Sequence, residues 1–427
     1  MTRELGQVRA DSFVFRMEES VSTRRSFRHI AVLAVIGLAA CGGTGESTQL
    51  PGPITVAGSR AGANRHTQQL RAFAANCEIS IPILGIGICT NIELAGGPTY
   101  GPTTPAQQVP GLHPADLQAA YALPAGRGQG QTIADVIADA DPNAEADLAV
   151  YRSTFGLPAC TSTNGCFRVI SAGSNPQGNQ NWAREAATDL QMASAICPNC
   201  HLLLYEARSD EESDLAAAVR AAVAAGATVV SNSYVIPENS SESDAMWSHP
   251  GVPIVAAAGD LAYGSAFWPA AATDAIAVGA TTLVADPNTP RGWDESAWSS
   301  TGSACSAVAA KPAWQHDRAC SNRTIADVTA VGDPLTPVSV YDSYDDKGWV
   351  EVGGTSVSTP IIAGVYALAA NGEQLTGAAS LYADPSALFP ILSGSNGICL
   401  FAPYLCNAGS GYNGPAGMGS PNGTAGF

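Results

Sequence analysis

Apolar positions along the chain follow two patterns, short continuous runs and longer stretches in which apolar residues recur on one helical face. The short runs predict buried strands and the longer stretches predict helices. The predicted strands lie at residues 132–138, 202–205, 228–231, 252–257, 275–278 and 349–352, and the predicted helices at 143–155, 183–196, 214–225 and 359–370. Alternating strands and helices indicate an α/β fold, with a mostly parallel central sheet and helices on both faces.

The first forty residues carry a different pattern. Arg24, Arg25 and Arg28 precede an apolar run at residues 30–40, which is typical of a signal peptide and too short for a membrane span. The run ends in Leu-Ala-Ala before Cys41, and this ending resembles a bacterial lipobox. We predict a lipoprotein signal at residues 1–40 with lipidation at Cys41. The alternative is an ordinary secretory signal in which Cys41 has no role.

The rest of the chain divides by composition. Residues 41–111 are rich in Gly, Ser, Thr and Pro, which predicts a tether and a short pro-like segment. Residues 112–427 carry the alternating pattern of one large domain. No apolar run after residue 60 is long enough to cross a bilayer. We expect an exported monomer, anchored by an N-terminal lipid at the bacterial cell envelope or secreted.

The net charge of the chain limits the classes of molecule that it can bind. The chain of 427 residues has a formal net charge of -17 at pH 7, and only 13% of its residues are charged. Nucleic-acid binding needs clustered Lys and Arg, so this class of function is excluded.

The cysteines also favour export. Beside Cys41, the other cysteines form close pairs along the sequence, as disulfides do in exported proteins. The simplest pairings are Cys77–Cys89, Cys160–Cys166, Cys197–Cys200, Cys305–Cys320 and Cys399–Cys406. A redox or zinc role for the Cys197-Pro-Asn-Cys200 segment is the alternative, but a zinc site would need a second such pair or paired histidines.

The strongest candidate for chemistry is the segment Gly353-Gly354-Thr355-Ser356-Val357-Ser358-Thr359-Pro360. It joins a predicted strand to a predicted helix, with Pro360 expected in the first helical turn. Ser356 would lie at a helix N-terminus, where the dipole favours developing negative charge. The alternative is a Ser/Thr-rich helix cap with no catalytic role.

A serine nucleophile needs a base. None of the histidines (29, 66, 113, 201, 249 and 316) lies in a glycine-rich catalytic context. Glu185 and Asp189 are four residues apart on a predicted helix and share a face, so a carboxylate base is possible. The alternative is that both acids lie on a solvated helix face.

Asp260 is the third candidate. It follows the buried run Ile254-Val255-Ala256-Ala257-Ala258-Gly259, so it lies beyond the carboxyl end of a strand, where sites form in open α/β sheets. A protonated Asp260 could donate a hydrogen bond to an oxyanion. The alternative is a simple Gly-Asp turn.

Together these motifs resemble the sedolisin family of serine-carboxyl peptidases, which have a subtilisin-like fold. The family's Ser/Gly-Gly-Thr-Ser-x-x-x-Pro motif is matched at residues 353–360, its Glu-x-x-x-Asp helix at Glu185 and Asp189, and its Ala-Ser-Gly-Asp turn at residues 258–260. The resemblance extends through residues 268–270, 277–282 and 417–423, and covers roughly residues 112–427.

The resemblance implies a peptidase domain at residues 112–427 that hydrolyses protein or peptide substrates, with endopeptidase action and an acidic optimum. It implies Ser356 as nucleophile, Glu185 as base, Asp189 as the residue that orients Glu185, and Asp260 in the oxyanion hole. A subtilisin-type Ser-His-Asp peptidase is one alternative. A non-catalytic surface lipoprotein that uses the same fold for binding is the other.

Three departures from the family pattern matter. Leu261 follows Asp260 where the family has a serine. Pro390 and Asn413 occupy the positions matched to the aspartates of the family's calcium site, although Gly409 and Gly411 keep the backbone spacing. Loss of two carboxylates weakens a hard-cation site, so we expect no required cofactor, with calcium binding as the alternative. The region before the domain is also shorter than the family's usual pro-domain.

Overall fold

The computed structural model describes residues 72–75, 85–95, 100–173, 178–239, 241–344 and 348–427. The predicted signal peptide, the lipidation site Cys41, most of the tether and Cys77 lie outside the described residues, so these remain predictions.

The strands are β1 (Ala72–Ala75), β2 (Ile88–Cys89), β3 (Ile92–Ala95), β4 (Thr132–Ala138), β5 (Phe167–Ser171), β6 (His201–Ala207), β7 (Val229–Asn232), β8 (Tyr234–Pro237), β9 (Ile254–Ala257), β10 (Phe267–Trp268), β11 (Ala275–Ala285), β12 (Trp293–Ala297), β13 (Ala304–Cys305), β14 (Thr324–Ile325), β15 (Val328–Val331), β16 (Val338–Asp342), β17 (Gly348–Gly353), β18 (Leu388–Phe389) and β19 (Ser420–Pro421). The α-helices are α1 (Pro114–Ala120), α2 (Ala144–Thr154), α3 (Gln180–Ile196), α4 (Glu212–Ala224), α5 (Thr355–Ala369) and α6 (Ala379–Ala383).

The central sheet has eight strands, ordered β12-β11-β9-β7-β4-β6-β5, with β15 also paired to β11. All its pairings are parallel except the one between β11 and β12. Every residue of β4 is buried, as expected for a parallel strand covered on both faces. The predicted α/β class is confirmed.

Helices α3 and α5 form the centre of the core and pack against each other. Their close approach depends on Gly364, where a Cβ atom would lie only 2.7 Å from the Ile196 side chain. All fifteen residues of α5 are buried. The two helices that carry Glu185, Asp189 and Ser356 are therefore held against each other by a close backbone contact.

The start of α5 corrects one expectation. The helix begins at Thr355, after Gly354 at φ 105°, rather than near residue 359. Pro360 is therefore inside the helix and not in its first turn, so that expectation was wrong. A proline has no N–H to donate to the carbonyl four residues earlier, which is that of Ser356, and the Ser233 hydroxyl oxygen lies 3.5 Å from this carbonyl oxygen.

Two smaller sheets, separate from the central sheet, include residues from the N-terminal segment. Strands β1, β3, β17 and β16 form one sheet, and β10, β8 and β2 form the other. Residues 85–95, which precede the predicted domain, thus pair with strands on both sides of the α5 N-terminus.

Four predicted disulfides are present, namely Cys160–Cys166, Cys197–Cys200, Cys305–Cys320 and Cys399–Cys406. Cys89 is also disulfide-bonded, and its pairing with Cys77 stays a prediction. Several disulfides are typical of an exported protein. Within the described ranges, no helix combines the length and apolarity needed to cross a bilayer.

Candidate active site

Ser356 is the second residue of α5, so it lies at the N-terminus of a fully buried helix, as predicted. Its side chain is completely buried. The hydroxyl oxygen is 2.8 Å from Thr90 Oγ1, and it donates to the Ser233 carbonyl at 3.3 Å. Among the described residues, no histidine hydrogen-bonds to Ser356.

Glu185 lies on α3 and is fully buried, so the solvated-face alternative is wrong. Its Oε2 atom accepts hydrogen bonds from the Thr90 N–H at 3.2 Å and from Asn91 Nδ2 at 2.8 Å. Burial raises its pKa above the ordinary value, although the nearby Ser356 hydroxyl and the Asn91 amide lower it in part. A carboxyl group whose pKa is raised in this way can hold a proton at a pH where an exposed carboxyl group is ionised.

Asp189 lies one helical turn beyond Glu185 and is also fully buried. Its Oδ1 accepts from the Ser233 hydroxyl at 2.5 Å. Burial, followed by the Glu185 carboxyl, raises its pKa well above the ordinary value. Within the described part of the chain, Glu185 Oε1 and Asp189 Oδ2 lack a hydrogen-bond donor. A proton shared between the two carboxyl groups would give these oxygens a partner.

Asp260 follows β9 and faces the start of α5. Its Oδ1 accepts from the Thr355 N–H at 2.9 Å and from Thr355 Oγ1 at 2.8 Å. Burial raises its pKa to about 7, and the two Thr355 hydrogen bonds limit that rise. Its Oδ2 is buried without a donor in the described residues, so a protonated Asp260 has an O–H available to donate. Gly259, at φ 95°, makes the turn that places it.

The sequence analysis did not identify two polar residues at the site, Ser233 and Asp135. Ser233, between β7 and β8, contacts both Asp189 and Ser356. Asp135, in the middle of β4, is fully buried, has a pKa raised to about 8 by burial, and raises the pKa of Asp189. A lone acid inside an apolar strand pattern was the signal that could have identified Asp135.

The predicted residues therefore meet at one place. Ser356, Glu185, Asp189 and Asp260 come from α5, α3 and the β9 turn, and their neighbours are hydroxyl, amide and backbone groups. This arrangement supplies a hydroxyl group at a helix N-terminus and three carboxyl groups with raised pKa values.

Comparison with known proteins shows which family and which structures this chain resembles. Residues 168–380 match the model of the Subtilase family. Sedolisin from Pseudomonas sp. (strain 101) is 32% identical over 174 residues, a segment that covers 36% of this chain and 29% of that protein. The chain is therefore similar to the Subtilase family over residues 168–380 and to sedolisin over the aligned segment. The matched segment spans less than a third of this curated relative.

The solved structure of Pseudomonas sedolisin, a serine-carboxyl proteinase complexed with two molecules of pseudo-iodotyrostatin, superposes with a TM-score of 0.62 at 23% identity. The superposition covers 74% of this chain and 96% of that one. It confirms the predicted subtilisin-like fold. The roles of the individual site residues remain predictions.

The sedolisin-family calcium site does not fit the residues present. Asn413 Oδ1 accepts from the Ala416 N–H at 3.1 Å, which orients the amide. Its Nδ2 then donates to the carbonyls of Gly409 at 3.2 Å and Gly411 at 3.3 Å. The amide thus uses carbonyls that a cation would need, and Pro390 brings no carboxylate. We therefore derive no step through calcium.

Proposed function

We propose that this chain is a serine-carboxyl endopeptidase that hydrolyses peptide bonds through Ser356, Glu185 and Asp189, with Asp260 in the oxyanion hole. The observation that carries the proposal is the convergence of three carboxyl groups with raised pKa values around a serine at a helix N-terminus. Protein or peptide substrates would bind beside the α5 N-terminus, where Ser356 and Asp260 lie.

The first step is attack by Ser356 Oγ on the carbonyl carbon of the substrate. Glu185 accepts the hydroxyl proton as general base. Asp189 shares a proton with Glu185 and holds it in position, as the third member of a triad does. The two acids titrate as a pair, and the singly ionised pair is the form that accepts the proton.

The second requirement is stabilisation of the oxyanion. The Ser356 N–H lies in the first turn of α5, where the helix dipole favours negative charge. Asp260 Oδ2, when protonated, donates a second hydrogen bond. Collapse of the tetrahedral intermediate releases the amine, which takes the proton from Glu185, and water hydrolyses the acyl-enzyme on Ser356.

The proposal predicts a bell-shaped pH dependence with its maximum below neutral pH. Activity rises in acid as the Glu185–Asp189 pair loses its first proton. It falls as pH passes the pKa of Asp260, about 7, because the ionised carboxylate cannot donate to an oxyanion.

The test is hydrolysis of a denatured protein by the full chain from about pH 3 to about pH 8, beside Ser356→Ala and the matched control Ser358→Ala. Ser358 lies in the same buried turn and bonds only to the Thr355 carbonyl among the described residues. We expect acidic cleavage by the wild type and the control but not by Ser356→Ala. A neutral or alkaline maximum would favour a histidine base.

A serine-directed fluorophosphonate probe separates the peptidase from a binding protein with the same fold. We expect the probe to label Ser356 in the wild type and not in Ser356→Ala. An active-site serine that stays unlabelled and shows no turnover would favour the binding protein.

A further inference from the structure

Three large apolar side chains lie uncovered close together in the loop between β18 and β19. Ile398 is 88% exposed, Leu400 is 81% exposed and Phe401 is 102% exposed, which is as open to solvent as in an extended chain. A group of bulky apolar side chains left uncovered on a globular domain marks a surface that contacts a partner or a membrane. We call these three side chains the apolar tip.

The loop that carries the apolar tip is fixed to the domain at its base. The Cys399–Cys406 disulfide closes it, and the Asn396 N–H donates to the Cys406 carbonyl at 2.9 Å. The buried Asn396 amide donates to the Thr301 carbonyl at 2.7 Å and to Ser303 Oγ at 2.8 Å. The exposure of the apolar tip therefore belongs to a loop with a restrained base, and not to a free chain end.

The sequence around the apolar tip carries no charged side chain. Between residue 385 and residue 427 there is no Asp, Glu, Lys, Arg or His, although the whole chain has a formal net charge of -17. Moving a charged side chain out of water costs far more free energy than moving an uncharged one. The apolar tip can therefore enter an apolar phase without taking a charge from its own segment with it.

The shape of the apolar tip distinguishes between the possible partners. A peptide or small molecule binds in a concave site, whose walls cover most of the ligand surface. Side chains that are more than four-fifths exposed have no such walls around them. The acyl region of a bilayer needs no walls, because it is a fluid that closes around each protruding side chain. The geometry therefore favours a lipid bilayer over a peptide.

Residues beside the apolar tip are of the types found at the level of lipid headgroups. Tyr404 follows Phe401 by three residues, and its hydroxyl accepts from the Ala319 N–H at 2.9 Å. Arg318 is exposed and lines the same cavity as Tyr404. Tyrosine and arginine place their apolar parts against acyl chains and their polar ends among headgroups.

We propose that the apolar tip inserts into a lipid bilayer and docks the domain on the membrane surface. The predicted lipid at Cys41 would bring a bilayer within reach, because a tether of the length that separates Cys41 from β1 spans tens of ångströms. The apolar tip adds a second contact, formed by protein side chains. This contact requires neither an acyl group on Cys41 nor an active Ser356.

The position of the loop gives the docking a consequence. The Tyr263 N–H donates to the Asn396 carbonyl at 3.0 Å, so the base of the loop is bonded to the segment that follows Asp260. A bilayer that holds the apolar tip would therefore hold the Asp260 side of the proposed active site near the membrane surface. Protein chains at that surface would be the substrates within reach.

Depth in the bilayer is the most direct test. The full chain with Phe401→Trp is mixed with phosphatidylcholine vesicles that carry brominated acyl chains, which quench a tryptophan that reaches them. After subtraction of the wild-type emission, the new tryptophan should shift to shorter wavelength and be quenched. The matched control Val169→Trp, at a half-exposed position on the edge strand β5, should show neither change. Emission from Phe401→Trp that is not quenched would overturn the proposal.

Removal of the apolar tip tests whether it carries the binding. The triple variant Ile398→Ser/Leu400→Ser/Phe401→Ser is made in a full chain with Cys41→Ser, which cannot be lipidated at that position. Its partitioning into phosphatidylcholine vesicles should fall by about 10-fold or more, whereas Val169→Ser in the same chain should keep it. The melting temperature should not change, because the three side chains are exposed. Equal partitioning of the triple variant and Val169→Ser would contradict the proposal.

Salt dependence separates apolar insertion from charge attraction. Because the chain is acidic, vesicles with anionic phosphatidylglycerol should bind it less tightly than phosphatidylcholine vesicles do. Added salt should strengthen binding to the anionic vesicles, since it screens the repulsion. Binding that needs anionic lipid and is lost at high salt would overturn the assignment to the apolar tip.

Two further measurements compare the bilayer with other partners of the apolar tip. We expect the triple variant to keep the wild-type KM and kcat for a short soluble peptide and the wild-type mass in sedimentation equilibrium. A higher KM with unchanged vesicle binding would show that the tip binds substrate instead. A wild-type dimer that the triple variant loses, again with unchanged vesicle binding, would show that the tip binds a second copy of the chain. Either result would refute membrane docking.

Discussion

Two groups of buried acids in this protein differ in their partners. Asp327 makes a two-point salt bridge with Arg323, at 3.1 Å and 2.6 Å, and both side chains are completely buried. Glu185 and Asp189 are equally buried, but their hydrogen-bond donors are a backbone N–H, an amide and a hydroxyl. An arginine keeps its partner ionised, whereas neutral donors allow a buried carboxyl group to keep a proton. Depth of burial alone therefore does not distinguish an ion-paired acid from one that can hold a proton.

The largest expected effect comes from Glu185→Gln. Glutamine has the same shape as a protonated glutamate but cannot accept the Ser356 proton, so kcat/KM should fall about 10⁴-fold with little change in stability. The measurement is peptide hydrolysis beside the exposed control Glu373→Gln, which should keep wild-type activity. Unchanged activity in Glu185→Gln would refute its assignment as the base.

Substitution in the salt-bridged group should instead lower the stability of the protein. Arg323→Met leaves the buried Asp327 carboxylate without its cation, which should lower the free energy of unfolding by about 3–5 kcal/mol. Denaturant unfolding measures this change. The control Arg127→Met, at an exposed position, should change it by less than about 0.5 kcal/mol. A similarly small change in Arg323→Met would show that the two groups do not differ as described.

Substitution of Asp260 should lower activity less than Glu185→Gln does. Asp260→Ala removes an oxyanion donor, so kcat should fall about 10²- to 10³-fold. Asp260→Asn keeps an N–H donor at every pH, so it should retain more activity than Asp260→Ala, and its activity should persist above pH 7, where ionisation silences the wild type. Equal loss and the same pH limit in both variants would argue against a donor role.

The smallest change per measured step is in the dependence of stability on pH. A carboxyl group with a raised pKa binds more protons in the folded state than in the unfolded chain between its two pKa values, so stability is lost as pH rises through that range. For Asp135 the range runs from about pH 4 to its folded value of about 8. Asp135→Asn should reduce the slope by up to about 1.4 kcal/mol per pH unit.

Thermal unfolding across this range gives the measurement, beside Asp286→Asn at a surface turn as control. The wild type should lose stability as pH rises, and Asp135→Asn should lose less. Parallel curves for wild type and Asp135→Asn would mean that Asp135 is ionised in the folded state.

Most of the strands and helices, and part of the site, could be predicted from local sequence patterns. Each predicted strand or helix corresponds to an element of the same type, because continuous apolar runs mark buried parallel strands and one-sided patterns mark helices. Glu185 and Asp189 were placed on one helix face by their spacing alone. Their burial could not be predicted, because it depends on the packing of α3 against α5 and on Thr90 and Asn91, which are distant in sequence.

The errors have similar causes. The start of α5 was placed too late because Pro360 was expected to begin the helix, whereas the helix begins at Thr355 and contains the proline. Residues 85–95 lie in a region with a linker-like composition, so no local pattern showed that they contact Glu185 and Ser356. Their contacts are visible only in three dimensions.

The central claim is that a carboxyl pair, and not a histidine, activates Ser356. The most direct measurement is the pH dependence of kcat/KM for peptide hydrolysis by the wild type. The account predicts a maximum below neutral pH and a decline near pH 7, as Asp260 loses its proton. A rate that instead rises through the titration of a histidine and remains high above about pH 8 would contradict it.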